Sequence, residues 1–160
     1  MNNLIVKKSK VGGKGVFAVK DIKMGETIIV WNPKKIVSKI NMKKLSVDEQ
    51  NHTTPDGNGK YIIMGEPERY INHSCNPNSY VNNKSDIAMR NIKEGEEITS
   101  DYSINGIDNW EMNCNCGSKS CRGIVYGNFF KLPKSLQKRY LLYLEPWFAK
   151  KIKKKKKKAK

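Results

Sequence analysis

The sequence predicts a mainly β domain of short strands with few helices, plus a helix near the C-terminus. Three observations lead there. Apolar residues come in brief, strand-length runs such as LIV, VFAV, TIIVW and YIIM. Polar, glycine-bearing turns separate them. Four-residue helical spacing is clear only near the end, at Leu136, Tyr140 and Leu144.

Taken in order, LIVKKS reads as a strand and KVGGKGVFAV as a glycine-broken turn running into another. DIKMGE is a turn around Gly25, and TIIVW a strand. Met42 to Gln50 could form a short helix before the TTPDGNGK loop, after which YIIMG is strand-like. The polar RYINHSCNPN follows, then strands at SYVNN and DIAMRNI, the KEGEE turn and ITSDYS. The turn NIKEGE resembles DIKMGE, without a true repeat. Residues 113 to 123 form a cysteine-bearing loop. Pro133 suits the first turn of a helix to about Leu144, which Pro146 would end.

At 160 residues the chain holds one domain with a core, not two. It has no run of eighteen apolar residues, and its first residues lack a signal-peptide core. The expectation is an intracellular protein, cytoplasmic or nuclear/nucleoid-associated, with export as an effector the alternative. Net charge is +16, and residues 150 to 160 hold nine lysines. Without them the charge is still +7, that is 16 minus 9. Lysine outnumbers arginine 27 to 4, which argues against specific phosphate or base readout by forked guanidinium groups. Coding bias accounts for the lysines of the body equally well, since Asn and Ile are also frequent. The tail reads as a sequence-independent nucleic-acid contact or a localisation signal.

Three segments carry chemistry. Gly12-Gly13-Lys14-Gly15-Val16-Phe17 lacks the spacing of a phosphate loop or a dinucleotide site; it fits a hairpin turn, or backbone approaching a ligand. Arg69-Tyr70-Ile71-Asn72-His73-Ser74-Cys75-Asn76-Pro77-Asn78 is dense in hydrogen-bonding side chains, and His73 there serves structure or a polar ligand. Gly95-Glu96-Glu97-Ile98-Thr99-Ser100-Asp101-Tyr102 is a turn leading into a strand, whose terminal tyrosine, taken alone, suggests packing. Cys114, Cys116 and Cys121 form C-x-C-x4-C, and Cys75 is the only other cysteine. Free thiols, two disulfides or one metal site are the readings open to them.

Together, in this order, the segments resemble the SET-domain family of protein-lysine methyltransferases over roughly residues 3 to 123. The glycine turn is similar to its G-x-G motif, RYINHSCNPN to R-F-I-N-H-S-C-x-P-N, and GEEITSDY to G-E-E-L-x-x-D-Y. C-x-C-x4-C resembles the post-SET motif, whose cysteines share a zinc ion with that of NHSC. The resemblance implies a SET-domain β-clip with a knot-like crossing of the NHSC and DY segments, and cofactor and substrate entering from opposite faces. It implies a SET domain at 3–112, a post-SET zinc loop at 113–125, a C-terminal helical extension at 126–149 and a disordered polylysine tail at 150–160.

The implied activity is methyl transfer from S-adenosylmethionine to a lysine of a protein such as a histone or another basic DNA-binding protein. A non-catalytic SET-like binding module, recruited by its basic tail, is the alternative. Residue by residue, Tyr102 would orient the lysine amine. Gly13, Lys14, Gly15, Arg69, Asn72, His73 and Ile124 would hold the cofactor. Cys75, Cys114, Cys116 and Cys121 would bind structural zinc. One departure concerns product: the family commonly has Phe or Tyr two residues before the catalytic tyrosine, and here Ser100 stands there.

Overall fold

The glycine-separated apolar runs pair into three small sheets in a computed structural model that describes residues 3–158. The largest sheet contains β1 (Leu4–Lys8), β2 (Lys14–Ala18), β3 (Thr27–Val30), β7 (Asn72–His73), β8 (Ser79–Val81), β9 (Ser85–Ala88) and β10 (Glu97–Ser100). Its order is β1-β2-β10-β8-β9-β3, with β7 alongside β10. Alternation sends Val16 and Ala18 inward, where they meet Ile28, Ala88 and Ile98 in one core. The two look-alike turns face each other: Ile22 and Ile92 exchange both backbone hydrogen bonds at 2.8 Å, and both side chains are buried in that core.

The second sheet, β4-β6-β5, joins β4 (Lys35–Ser38), β5 (Thr53–Pro55) and β6 (Lys60–Ile63). The helix expected from Met42 to Gln50 is split. A 3-10 turn covers Lys39–Lys44, and α1 covers Val47–Asn51. Ser46 makes the break because it caps α1 reciprocally with Glu49, a capping box. A third pair, β11 (Ile107–Asn113) and β12 (Ile124–Asn128), carries the cysteine loop between its strands; β11 had no clear signal in the sequence.

The C-terminal region departs from expectation at three points. The helix after Pro133 is short: α2 spans Lys134–Arg139 and tightens into a 3-10 turn over Tyr140–Tyr143. Pro146 then begins a helix, α3 (Pro146–Lys158), where a stop was expected. A proline has no N–H to lose in a first turn, so the residue suits a start as well as an end. Helix also occupies Lys150 to Lys158, in place of the expected disordered tail; Ala159 and Lys160 lie outside the described residues. Phe148 and Ile152, one turn apart, are both buried against Phe129, Leu132 and Tyr140, so core packing carries the helix past residue 150. Among the described residues no helix is long and apolar enough to cross a membrane.

Candidate functional site

The segments singled out in the sequence converge on β10. β7 runs parallel to it, with Asn72 opposite Thr99 and His73 opposite Ser100. β8 is also parallel to it, with Ser79 opposite Ser100. Between them Asn78, 1% exposed, substitutes its side chain for a strand edge. Its Nδ2 donates to the Glu97 carbonyl, and its Oδ1 accepts the Thr99 N–H, both at 2.8 Å. Its own N–H reaches the Thr99 carbonyl at 3.1 Å. A buried side-chain amide that satisfies two backbone groups, with a third bond from its own N–H, pins the crossing.

On one side of the crossing lies the glycine turn. Gly13 has φ +51, a left-handed conformation that favours glycine, and nothing lies where its Cβ would be. At Gly15 a Cβ would collide with the Glu97 carboxylate. That carboxylate accepts the Ser9 hydroxyl (2.8 Å) and Asn72 Nδ2 (2.7 Å), and Asn72 also donates to the Lys14 carbonyl at 2.9 Å. Glu97 thus ties the glycine turn to the NHSC segment, a role that local sequence did not reveal. Gly13 and Lys14 border a cavity of about 490 Å3 with Val6, Lys7, Lys8, Glu66 and Tyr70. Its size is that of a small-molecule site, and its glycine wall is bare backbone, which fits a nucleoside cofactor held by main-chain groups.

Arg69 and Ile124 stand apart from this cluster. Arg69 Nη2 bonds Asp48 (2.6 Å) and His52 Nδ1 (2.9 Å) on and beside α1, and its guanidinium lies 5.6 Å from the Tyr70 ring. Its link to the cavity therefore runs through Tyr70. Ile124, 39% exposed, opens β12 and is not among the residues lining the cavity.

Tyr102 follows β10 at the base of the crossing. Its hydroxyl donates to the Ile71 carbonyl at 2.9 Å, and its ring meets His73 edge-on at 5.3 Å. Burial, then the charges of Asp86 and Glu97, push its pKa up to about 12, so the phenol is neutral. His73 Nδ1 accepts the Tyr102 N–H at 3.2 Å, which leaves the ring proton on Nε2, facing Cys75 Sγ at 3.3 Å. Burial pushes the imidazole down to about 4 against the opposing pull of Asp101, so His73 is neutral as well.

The four cysteines carry free thiols and gather at one point: their sulfurs all lie within 4.8 Å of one another. Cys75 and Cys114 sulfurs are 3.7 Å apart. A tetrahedron with zinc–sulfur bonds of about 2.3 Å has edges of about 3.8 Å, so the Cys75–Cys114 spacing matches a zinc site and the whole cluster lies within about 1 Å of one. The Arg122 N–H (3.3 Å) and His73 donate to Cys75 Sγ, and the Cys75 N–H points to Cys116 Sγ at 3.5 Å. Donors of this kind stabilise metal-bound thiolates.

A second link holds the same loop. Arg122 forks onto Asp101, with Nη1–Oδ2 at 2.7 Å and Nη2–Oδ1 at 2.8 Å, and buried Tyr140 donates to Oδ2 at 3.0 Å. Burial raises the Asp101 carboxyl, but the Arg122 fork outweighs it and leaves the pKa below the ordinary value. Asp101 thereby joins the DY motif to the cysteine loop and to the C-terminal core. Arg122 lies 21 residues from Asp101 and Tyr140 lies 39, separations across which no local pattern signals a pair.

One buried acid beside this site sets a pH dependence. Asp86, 2% exposed, accepts the Trp31 indole N–H at 2.6 Å. Burial pushes its pKa up to about 7 despite that bond, and the charges of Glu68 and Glu145 act in the same direction. The unfolded carboxyl releases its proton near pH ~4. Between the two values the folded state holds a proton that the unfolded state has lost. This contribution is therefore fully present below pH ~4 and disappears as pH rises through about 7. Asp86→Asn keeps an acceptor for Trp31 and removes the charge. From pH 5 to 8, zinc-loaded wild type should lose about 2–3 kcal/mol more stability than the variant in urea unfolding. Parallel slopes would contradict the assignment.

Comparison with known proteins agrees with this geometry. Residues 13–103, more than half of the chain, match the family model for the SET domain. The histone-lysine N-methyltransferase trithorax of Drosophila virilis is 33% identical over 135 residues, 72% of this chain and 3% of that protein. The variant-silencing SET domain-containing protein of Plasmodium falciparum is 34% identical over 142 residues, 76% of this chain and 6% of its own length. The chain thus spans 3% to 6% of the length of these curated relatives. The solved structure of a candidate histone methyltransferase from Plasmodium falciparum aligns with TM-score 0.51 and 26% identity, over 62% of this chain and 91% of that one. With its NHSC and DY segments paired through β7 and β10, and a SET match that takes in both, the chain belongs to the SET-domain family.

Proposed function

We propose that the chain is a protein-lysine N-methyltransferase that uses S-adenosylmethionine and acts on a histone or another basic nucleic-acid-binding protein. The observation that carries this reading is Tyr102. Its proton is committed to the Ile71 carbonyl, so its oxygen lone pairs are left to accept from an incoming amine. When bound, the cofactor would supply an electrophilic methyl on a sulfonium: the amine nitrogen would form a bond to that carbon as the carbon–sulfur bond breaks, the thioether would leave, and the product nitrogen would lose one proton. The chain's own task is to present that amine neutral and aligned. A free lysine has a pKa of roughly 10.4, so about one in 2,500 is neutral at pH 7. The low-dielectric surroundings that keep Tyr102 and His73 neutral also disfavour an ammonium.

Gly13 and Lys14 line the cavity, and Gly15 and Asn72, tied to them through Glu97 and the Lys14 carbonyl, would complete the cofactor side. His73, like Asn72, would contact the cofactor mainly through its backbone while its ring supports Tyr102 and Cys75, and Arg69 would act at one remove by bracing Tyr70. Ile124, exposed at the start of β12, would offer an apolar contact to the adenine. Cys75, Cys114, Cys116 and Cys121 hold structural zinc, which takes no part in transfer. Similarity to relatives named histone-lysine N-methyltransferases supports the substrate class.

The deciding experiment is transfer of labelled methyl from the cofactor to a panel of histones, ribosomal proteins and DNA-binding proteins, with the modified residue located by mass spectrometry. A defined lysine should be labelled, and its mass increment will show how many methyls the Ser100 site admits. Cofactor binding without label on any panel member would favour a binding module instead.

A further inference from the structure

Away from the crossing, α3 carries an arrangement that methyl transfer does not use. Phe148 and Ile152 fix the rotation of the helix by packing into the C-terminal core. Beside that face, Trp147, Lys150, Lys151 and Lys154 fall at i, i+3, i+4 and i+7, one continuous stripe. The stripe is one wall of a cavity of about 560 Å3, whose lining is completed by Asn58, Asn83 and Pro146. Asn58 belongs to the turn between β5 and β6, and Asn83 to the turn between β8 and β9.

These walls are built. Gly57, at φ +84, lets the Trp147 ring lie directly on backbone, where any Cβ would collide with it. The Trp147 ring also meets Phe148 edge-on at 5.3 Å. Glu145 accepts the Asn83 N–H at 3.0 Å, and its own N–H is held by Asn105 Oδ1 at 2.8 Å. Among the described residues, none of the three lining lysines forms an ion pair. No acid occurs from Pro146 onward. Three ammonium groups within little more than one turn repel one another, and a bound anion relieves that repulsion.

We propose that this cleft binds a nucleic-acid strand, with backbone phosphates on Lys150, Lys151 and Lys154 and a base against Trp147. A basic groove with an aromatic platform is how single strands are held without sequence readout. Lysine, a point charge lacking the guanidinium fork, suits phosphates and not base edges. The Asn58 and Asn83 amides offer both donors and acceptors to the strand. The contact differs from diffuse attraction by a lysine tail because helix packing and the Gly57–Trp147 contact set its shape.

The test uses the full chain and a fluorescein-labelled 12-nucleotide single-stranded DNA, followed by anisotropy across a salt series. Lys150→Gln/Lys151→Gln/Lys154→Gln should weaken binding at least about tenfold and lower the slope of log K against log salt by about 2. Lys155→Gln/Lys156→Gln/Lys157→Gln removes the same charge further along the sequence and should weaken binding less than about threefold. Unlabelled oligonucleotide should quench tryptophan emission in wild type, and Trp147→Phe should abolish that quench. Equal losses in the two triple variants would overturn the proposal in favour of tail electrostatics alone. Polyglutamate binding as tightly as the oligonucleotide would overturn it in favour of an acidic protein partner. If the first triple variant does not fold, the quench decides: its absence in wild type overturns the proposal.

Discussion

Tyr102→Phe should lower methyl transfer by at least about two orders of magnitude while leaving cofactor affinity within about twofold. The substitution removes one oxygen. That oxygen donates to the Ile71 carbonyl, and in the proposed reaction its lone pairs receive the amine. Without it the amine loses the partner that aligns it with the methyl, and a misplacement of about 1 Å can cost about a hundredfold. The ring remains, so its edge contact with His73 and the backbone bond to His73 Nδ1 survive. Stability should fall by about 1 kcal/mol, the usual effect of one lost hydrogen bond. Single-turnover transfer separates this from a binding defect, and calorimetric titration with the cofactor reads affinity directly. Near-normal turnover in the variant would remove Tyr102 from the mechanism.

Loss of zinc should have the largest effect on the folded state. Structural zinc contributes about 10–16 kcal/mol in small zinc peptides, comparable to the whole stability of a domain, about 5–15 kcal/mol. Zinc bound by the four clustered sulfurs would cross-link Cys75, beside the crossing, to the loop between β11 and β12. After metal loss the Asp101–Arg122 fork would remain as the ionic tie on that loop. Purified protein should carry about one zinc per chain. Chelation, or Cys75→Ser, should strip hydrogen-exchange protection from residues 113–128 and weaken cofactor binding at least about tenfold, because His73 and Tyr102 rest on Cys75. Less than about half an equivalent of zinc, with a fold indifferent to chelator, would sink the assignment.

Legibility differed sharply between parts of the chain. Strands with apolar runs and glycine turns were readable because alternation and turn chemistry are local. The break at Ser46 was harder to see, although the Ser46-x-x-Glu49 capping box is itself a local signature. The C-terminal proline was ambiguous by nature, since Pro146 can end one helix or begin the next. Only the burial of Phe148 and Ile152 settled which.

RYINHSCNPN, GEEITSDY and C-x-C-x4-C identify the family, and with it the expected cofactor and the zinc ligand set, from residue types and order alone. Spacing along the chain can carry that much, because those motifs are contiguous. The tertiary structure decided what joins them: Glu97 between the glycine turn and Asn72, Asn78 along β10, and Asp101 between the cysteine loop and Tyr140. It also turned the stretch beginning at Lys150 from an expected disordered tail into one wall of a cleft. Each of these depends on burial and on partners tens of residues apart. Their energies arise from desolvation and from contacts between segments, and neither is written in local sequence.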